Sequence, residues 1–115
     1  MKIYHNPKCS KSREAKKLLD EKGIAYTTHL YLENPLSSDD IEALLVKLGL
    51  TINDIIRTKE AIWKENFKEG TYTDEELVKI VADNPRLLER PIIEHNDFAV
   101  IARSDEKIAE VLTTL

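Results

Sequence analysis

The sequence contains one cysteine, three glycines, one methionine and one tryptophan among its 115 residues. A lone cysteine excludes an internal disulfide, a Cys-x-x-Cys redox pair and a zinc site built from several cysteines. No apolar run approaches the ~20 residues that a membrane-spanning helix needs. Charge returns at Lys8, too early for the apolar segment of a secretory signal. We therefore expect a cytoplasmic protein that binds no metal and no membrane.

The length and composition fit a single domain over residues 1–115, since 42% of the residues are apolar and 33% are charged. The net charge of −4 is distributed unevenly. Residues 1–22 carry seven basic and three acidic side chains, whereas the remainder carries ten basic and eighteen acidic ones. An acidic protein with one local basic region suits a small anionic substrate better than a nucleic acid. We expect a monomer.

The hydropathy pattern predicts a strand at 2–5, a helix at 9–22 and a second strand at 25–31, which form a β-α-β unit with parallel strands. An all-helical insert follows at about 36–89, with helices that begin near Ser37, Thr51 and Thr73. The chain closes with a hairpin at 91–95 and 98–102 and a helix after Ser104. This order predicts an α/β fold with a mixed four-stranded sheet.

The cysteine lies where the first strand gives way to the first helix, in the segment Ile-Tyr-His-Asn-Pro-Lys-Cys-Ser-Lys-Ser-Arg at 3–13. A helix N-terminus and nearby cations favour the thiolate, which is the nucleophilic form, and also favour a bound oxyanion. Lys8, Lys11 and Arg13 supply the cations. The alternative is that Cys9 is a small buried residue that only packs in the core. The polar neighbours of Cys9 favour a nucleophile in an anion pocket.

Three arginines lie at predicted element boundaries, where a side chain can reach into a cleft: Arg57, Arg90 and Arg103. The planar guanidinium donates two parallel hydrogen bonds and so matches tetrahedral oxyanions. Taken alone, any one of them fits a surface salt bridge better, and the candidate partners are Glu60, Glu89 and Asp105.

Four segments together resemble the arsenate reductase family that works with glutathione and glutaredoxin. They are residues 3–13, Leu-Tyr-Leu-Glu-Asn-Pro at 30–35, Ile-Ile-Arg at 55–57 and Glu-Arg-Pro-Ile-Ile at 89–93. The likeness spans nearly the whole chain in the same order. The resemblance implies a thioredoxin-like fold with a helical insert.

The resemblance also implies roles for individual residues. Cys9 matches the catalytic cysteine, Ser12 a serine of the substrate pocket, and Arg57, Arg90 and Arg103 the arsenate-binding arginines. His5 matches a histidine that tunes the thiolate, although a polar cap bonded to backbone is an equal alternative. The thioredoxin-like resemblance suggests a cis peptide bond before Pro91, although only about 5–6% of X–Pro bonds are cis.

The implied reaction reduces arsenate to arsenite, as in arsenical resistance. Cys9 forms an adduct with arsenate, glutathione acts as co-substrate with no bound cofactor, and glutaredoxin frees the cysteine. The short chain resembles a housekeeping branch of the family, which leaves the natural substrate open. One alternative is a thiol-dependent reductase for another substrate. Another is a regulator of the Spx type that binds RNA polymerase, but such proteins typically carry Cys-x-x-Cys or lack the arginine set, whereas Ser12 stands at the second cysteine position here.

Overall fold

The computed structural model describes all 115 residues, as four strands, five α-helices and two short 3₁₀ helices. The elements in chain order are β1 (Lys2–Tyr4), α1 (Ser10–Glu21), β2 (Thr27–His29), α2 (Ser38–Leu48), a 3₁₀ helix (Ile52–Ile55), α3 (Ala61–Asn66), α4 (Asp74–Asp83), a second 3₁₀ helix (Pro85–Leu87), β3 (Ile92–His95), β4 (Phe98–Ile101) and α5 (Asp105–Leu112).

The strands form one mixed sheet in the order β2-β1-β3-β4, which confirms the predicted α/β architecture. Strand β1 runs parallel to β2 and antiparallel to β3, and β3 pairs with β4 as a hairpin. The row Ile3, Ile93 and Val100 crosses three strands in register. Strand β2 is shorter than the predicted 25–31 because it can pair only with the three residues of β1. The chain then turns at Leu30, whose carbonyl accepts from the amide of Asn34.

Two compact units can be distinguished along the chain. The first comprises Met1–Asn34 and Arg90–Leu115, and the second is Pro35–Glu89. In the first, α1 and α5 pack against the sheet through a buried apolar cluster of Ile3, Ala15, Leu19, Ile93, Val100, Ala102, Ile108 and Val111. Leu19 is fully buried, and burial of such a side chain stabilises a fold by about 1.5–3 kcal/mol. This cluster therefore fixes α1, with Cys9 at its start, on the sheet.

The second unit is helical, and its buried side chains include Ile41, Leu44, Ile52, Ile55, Leu77, Val81 and Leu87. The three predicted helix starts are confirmed. Ser37 with Asp40 and Thr73 with Glu76 form capping boxes, and Thr51 is the N-cap of the first 3₁₀ helix, where its amide donates to Asp54 Oδ2. Helix α2 ends at Gly49, whose φ of 66° is left-handed and suits glycine. The assignment of all 115 residues to one domain stays a prediction.

The hairpin between β3 and β4 turns without glycine. Asn96 takes the positive φ of 54°, a conformation that asparagine tolerates better than most residues. On the other side of β3, the bond between Arg90 and Pro91 is cis. None of the helices is both long enough and apolar enough to cross a bilayer.

Candidate active site

Cys9 occupies the N-cap position of α1, with extended backbone angles of φ −96° and ψ 123°. Its side chain is half-buried and its thiol is free. The first N–H groups of any α-helix have no partner within the helix, and no side chain caps those of α1. The thiol therefore lies beside unpartnered amide donors, as the sequence predicted. This arrangement can stabilise a thiolate and an adjacent oxyanion together.

The loop before Cys9 is folded by its own hydrogen bonds. The amide of Cys9 donates to the Asn6 carbonyl at 3.0 Å, and the amide of Lys8 donates to Asn6 Oδ1 at 3.0 Å. An asparagine side chain that accepts from the amide two residues on is a standard turn-forming contact. Asn6 thus positions the nucleophile, a role that the sequence analysis missed although the Asn-Pro pair was a turn signal.

Two residues of α1 hold this loop in place. Ser12 is fully buried, and its Oγ accepts from the amide of Asn6 at 3.3 Å. Arg13 Nη1 donates to the Pro7 carbonyl at 2.9 Å. Ser12 therefore fixes the loop from inside, and its direct contact with a substrate stays a prediction. Arg13 was predicted only as a cation, but it also bridges the helix and the loop.

The first turn of α1 carries no acidic residue, whereas α2, α4 and α5 each have at least two acids there. Those three helices are also capped by a serine or threonine side chain. Acids in the first turn and a capping oxygen satisfy the positive end of a helix. The N-terminal end of α1 has neither an acid nor a side-chain cap, so another anion can bind there.

His5 ends the first strand segment and is 5% exposed. Burial, followed by the charges of Lys16 and Arg13, holds the pKa of His5 below its ordinary value of 6.5. The lowered pKa favours the neutral form of the ring at pH 7, in which it carries no charge to support the thiolate. Its Nδ1 is buried without a hydrogen-bond partner, so a backbone contact through that atom is absent. The tuning role of His5 stays a prediction.

Two of the three predicted arginines meet in the first unit. Arg90 immediately precedes the cis bond to Pro91, and Arg103 follows β4. Arg103 Nη1 donates to the Arg90 carbonyl at 3.0 Å, which ties the two segments together. The contact brings the Arg103 guanidinium to the backbone of Arg90, and the convergence of the two guanidiniums on one oxyanion site stays a prediction.

Arg57 belongs to the second unit, where it forms ion pairs with the predicted partners Glu60 and Glu89. Arg57 Nη1 donates to Glu60 Oε1, and Arg57 Nε lies 3.7 Å from Glu89 Oε1. These ion pairs correspond to the surface salt bridges that the sequence left open as the alternative role of Arg57. A direct role of Arg57 in binding an oxyanion stays a prediction.

The other two histidines have local partners. His29 Nε2 lies 2.6 Å from the Asn34 carbonyl, and His95 Nδ1 lies 3.0 Å from Thr114 Oγ1. No group of three or more His, Cys, Asp or Glu side chains is placed to hold a metal ion.

The lowered pKa of His5 predicts a specific pH dependence of stability. As the pH falls through 6.5, the unfolded chain takes up a proton at His5 that the folded chain does not, so unfolding becomes easier. We expect the free energy of unfolding in urea to fall between pH 7.5 and 5.5, and His5→Asn to make this fall shallower. His29→Asn is the control. Equal slopes for wild type and His5→Asn would contradict the buried neutral ring.

Comparison with known proteins finds relatives along nearly the whole chain. The sequence model of the ArsC family matches residues 4–111. An uncharacterized protein of Escherichia coli K12, YfgD, is 41% identical, covering 97% of this chain and 96% of its own. The arsenate reductase of Neisseria meningitidis serogroup A is 40% identical, with 97% of each chain covered.

A solved structure shows the same fold. The arsenate reductase from Vibrio cholerae superposes with a TM-score of 0.89 at 40% identity, covering 96% of this chain and 98% of its own. This match confirms the thioredoxin-like fold. With a family match over nearly its whole length and relatives at about 40% identity, this chain belongs to the ArsC family.

Proposed function

We propose that this protein is an oxidoreductase that reduces arsenate to arsenite, with glutathione as co-substrate and glutaredoxin as its partner. The observation that carries the proposal is Cys9 at the uncapped, acid-free start of α1. A tetrahedral oxyanion docked there accepts from the amides of the first helical turn. The arsenate reductases among its relatives support the choice of arsenic over other oxyanions.

In the first step, the Cys9 thiolate attacks arsenic and one oxygen leaves as water. With the singly charged arsenate, both protons of that water come from arsenate, and the adduct carries two negative charges, one from the thiolate and one from arsenate. Arg90 and Arg103 are the proposed side-chain donors to the remaining oxygens, since a guanidinium pairs with such oxygens in two parallel bonds. Asn6 and Ser12 keep the thiol at the helix start while the adduct forms.

In the second step, glutathione attacks the Cys9 sulfur and arsenic departs with the electron pair as arsenite. Arsenic goes from the +5 to the +3 state, and the two sulfurs become a mixed disulfide. The chain has no second cysteine to release Cys9. Glutaredoxin therefore has to remove the glutathione by thiol–disulfide exchange, at the expense of a second glutathione. We propose the cytoplasm as the compartment, since glutathione keeps thiols reduced there.

The engagement of Arg57 favours a second candidate, a thiol-exchange enzyme that acts on another substrate such as a glutathione mixed disulfide. Because Arg57 forms ion pairs with Glu60 and Glu89, it is less available to bind arsenate than the first proposal requires. Both candidates use the Cys9 thiolate, and they differ in whether arsenate is needed to modify it.

Intact-mass analysis after a single turnover separates the two candidates. We expect arsenate with reduced glutathione, but without glutaredoxin, to leave one glutathione on Cys9, and glutaredoxin to remove it. Cys9→Ser is the control and acquires no adduct. If arsenate with reduced glutathione leaves no adduct on Cys9, while oxidised glutathione modifies Cys9 readily, arsenate reduction is overturned and the second candidate is favoured.

Arg103→Lys tests the geometry of the oxyanion site. Lysine keeps the charge but loses the paired donors, so we expect the apparent affinity for arsenate to fall by about 1.5–3 kcal/mol, the range for a lost hydrogen bond to a charged group. The measurement is arsenate-dependent oxidation of NADPH, coupled through glutathione, glutaredoxin and glutathione reductase. Arg86→Lys, at an exposed position in the second unit, is the control. Equal kinetics for wild type and Arg103→Lys would contradict a bidentate role.

A further inference from the structure

A cleft of about 320 Å³ lies between the first turns of α1 and the start of α5. Small-molecule sites typically measure ~300–1,000 Å³, so this cleft can hold one end of a peptide-sized ligand. Its apolar floor includes Ala15 and Ile108, and every lining residue belongs to the first unit.

The walls of the cleft carry both signs of charge. Lys11 and Glu14 project from α1, where Lys11 Nζ lies 3.5 Å from Glu14 Oε2. Arg103 and Asp105 come from the segment that leads into α5. Each wall thus offers one cation and one carboxylate. This arrangement matches a ligand that bears an ammonium and a carboxylate close together, and it matches a simple anion less well.

The cleft shares Arg103 with the proposed oxyanion site. Lys11 is the second residue of α1, which starts directly after Cys9. Arg103 at the opposite wall donates to the Arg90 carbonyl, and this pair is proposed to bind the oxyanion. A ligand against Arg103 in this cleft therefore lies beside the oxyanion that the arginine pair is proposed to bind.

We infer that this cleft binds the γ-glutamyl end of glutathione, an inference that rests on the proposed use of glutathione. The γ-glutamyl group carries an α-ammonium and an α-carboxylate on one carbon. Its ammonium pairs with Glu14 and Asp105, and its carboxylate pairs with Lys11, which leaves the Arg103 guanidinium to the proposed oxyanion. The cysteinyl sulfur then extends toward Cys9.

The test follows thiol–disulfide exchange without arsenate. The Cys9 thiolate attacks oxidised glutathione, a Cys9–glutathione disulfide forms, and one glutathione thiolate leaves. The probe for comparison is the N-acetylated form of the same disulfide, which lacks the α-ammonium. We expect wild type to react about two- to fivefold faster with oxidised glutathione, the size expected for an ion pair between exposed groups. The rates are read from the loss of free thiol by intact mass.

Glu14→Gln and Asp105→Asn should each reduce this preference toward one. Both residues are exposed, so the fold should tolerate the changes. Glu106→Gln removes the same charge one residue further along and lies outside the cleft, so it should keep the preference. No preference in wild type, or the same preference in all variants, would overturn the inference. Because the assay contains no arsenate, these outcomes are independent of arsenate reduction. An arsenate-dependent adduct together with an unchanged preference would reject the cleft alone.

Discussion

Three hydrogen bonds hold the start of α1 against the loop before it, and the proposed chemistry depends on them. The amide of Asn6 donates to Ser12 Oγ, the amide of Cys9 to the Asn6 carbonyl, and the Arg13 guanidinium to the Pro7 carbonyl. Together they fix the thiol at the N-cap while the amides of the first turn stay available. A reactive thiol needs such support because a small misplacement of the attacking atom is costly in rate.

This start of α1 is less stable than it could be. Ser37, Thr73 and Ser104 cap α2, α4 and α5 through side-chain oxygens, whereas Cys9 makes no such bond. A missing cap costs about 1 kcal/mol. Helix α1 forms nonetheless because one of its faces is buried in the apolar cluster on the sheet. The packing of the first unit thus stabilises a helix whose N-terminal amides are free to bind an anion.

The sequence predicted the sheet, the helix starts and the setting of Cys9, because each depends on local patterns such as apolar periodicity, caps and turn residues. It could not predict that Arg103 would bond to the carbonyl of Arg90, since that contact joins segments 13 residues apart through the hairpin. The lowered pKa of His5 was equally hidden, because it follows from burial and from the charges of Lys16 and Arg13 in the folded chain. The ion pairs of Arg57 were one of two alternatives that local sequence could not separate.

The most direct test of the central claim puts the missing acid at the start of α1. In Ser10→Asp, a carboxylate at the first helical residue satisfies the positive helix end, which should leave the thermal midpoint unchanged or raise it. The same carboxylate occupies the proposed oxyanion position, so arsenate-dependent modification of Cys9 should fall by at least tenfold. Ser38→Asp, at the first residue of α2, is the matched control and should leave this rate unchanged. A stable Ser10→Asp protein that reacts with arsenate at the wild-type rate would contradict the account.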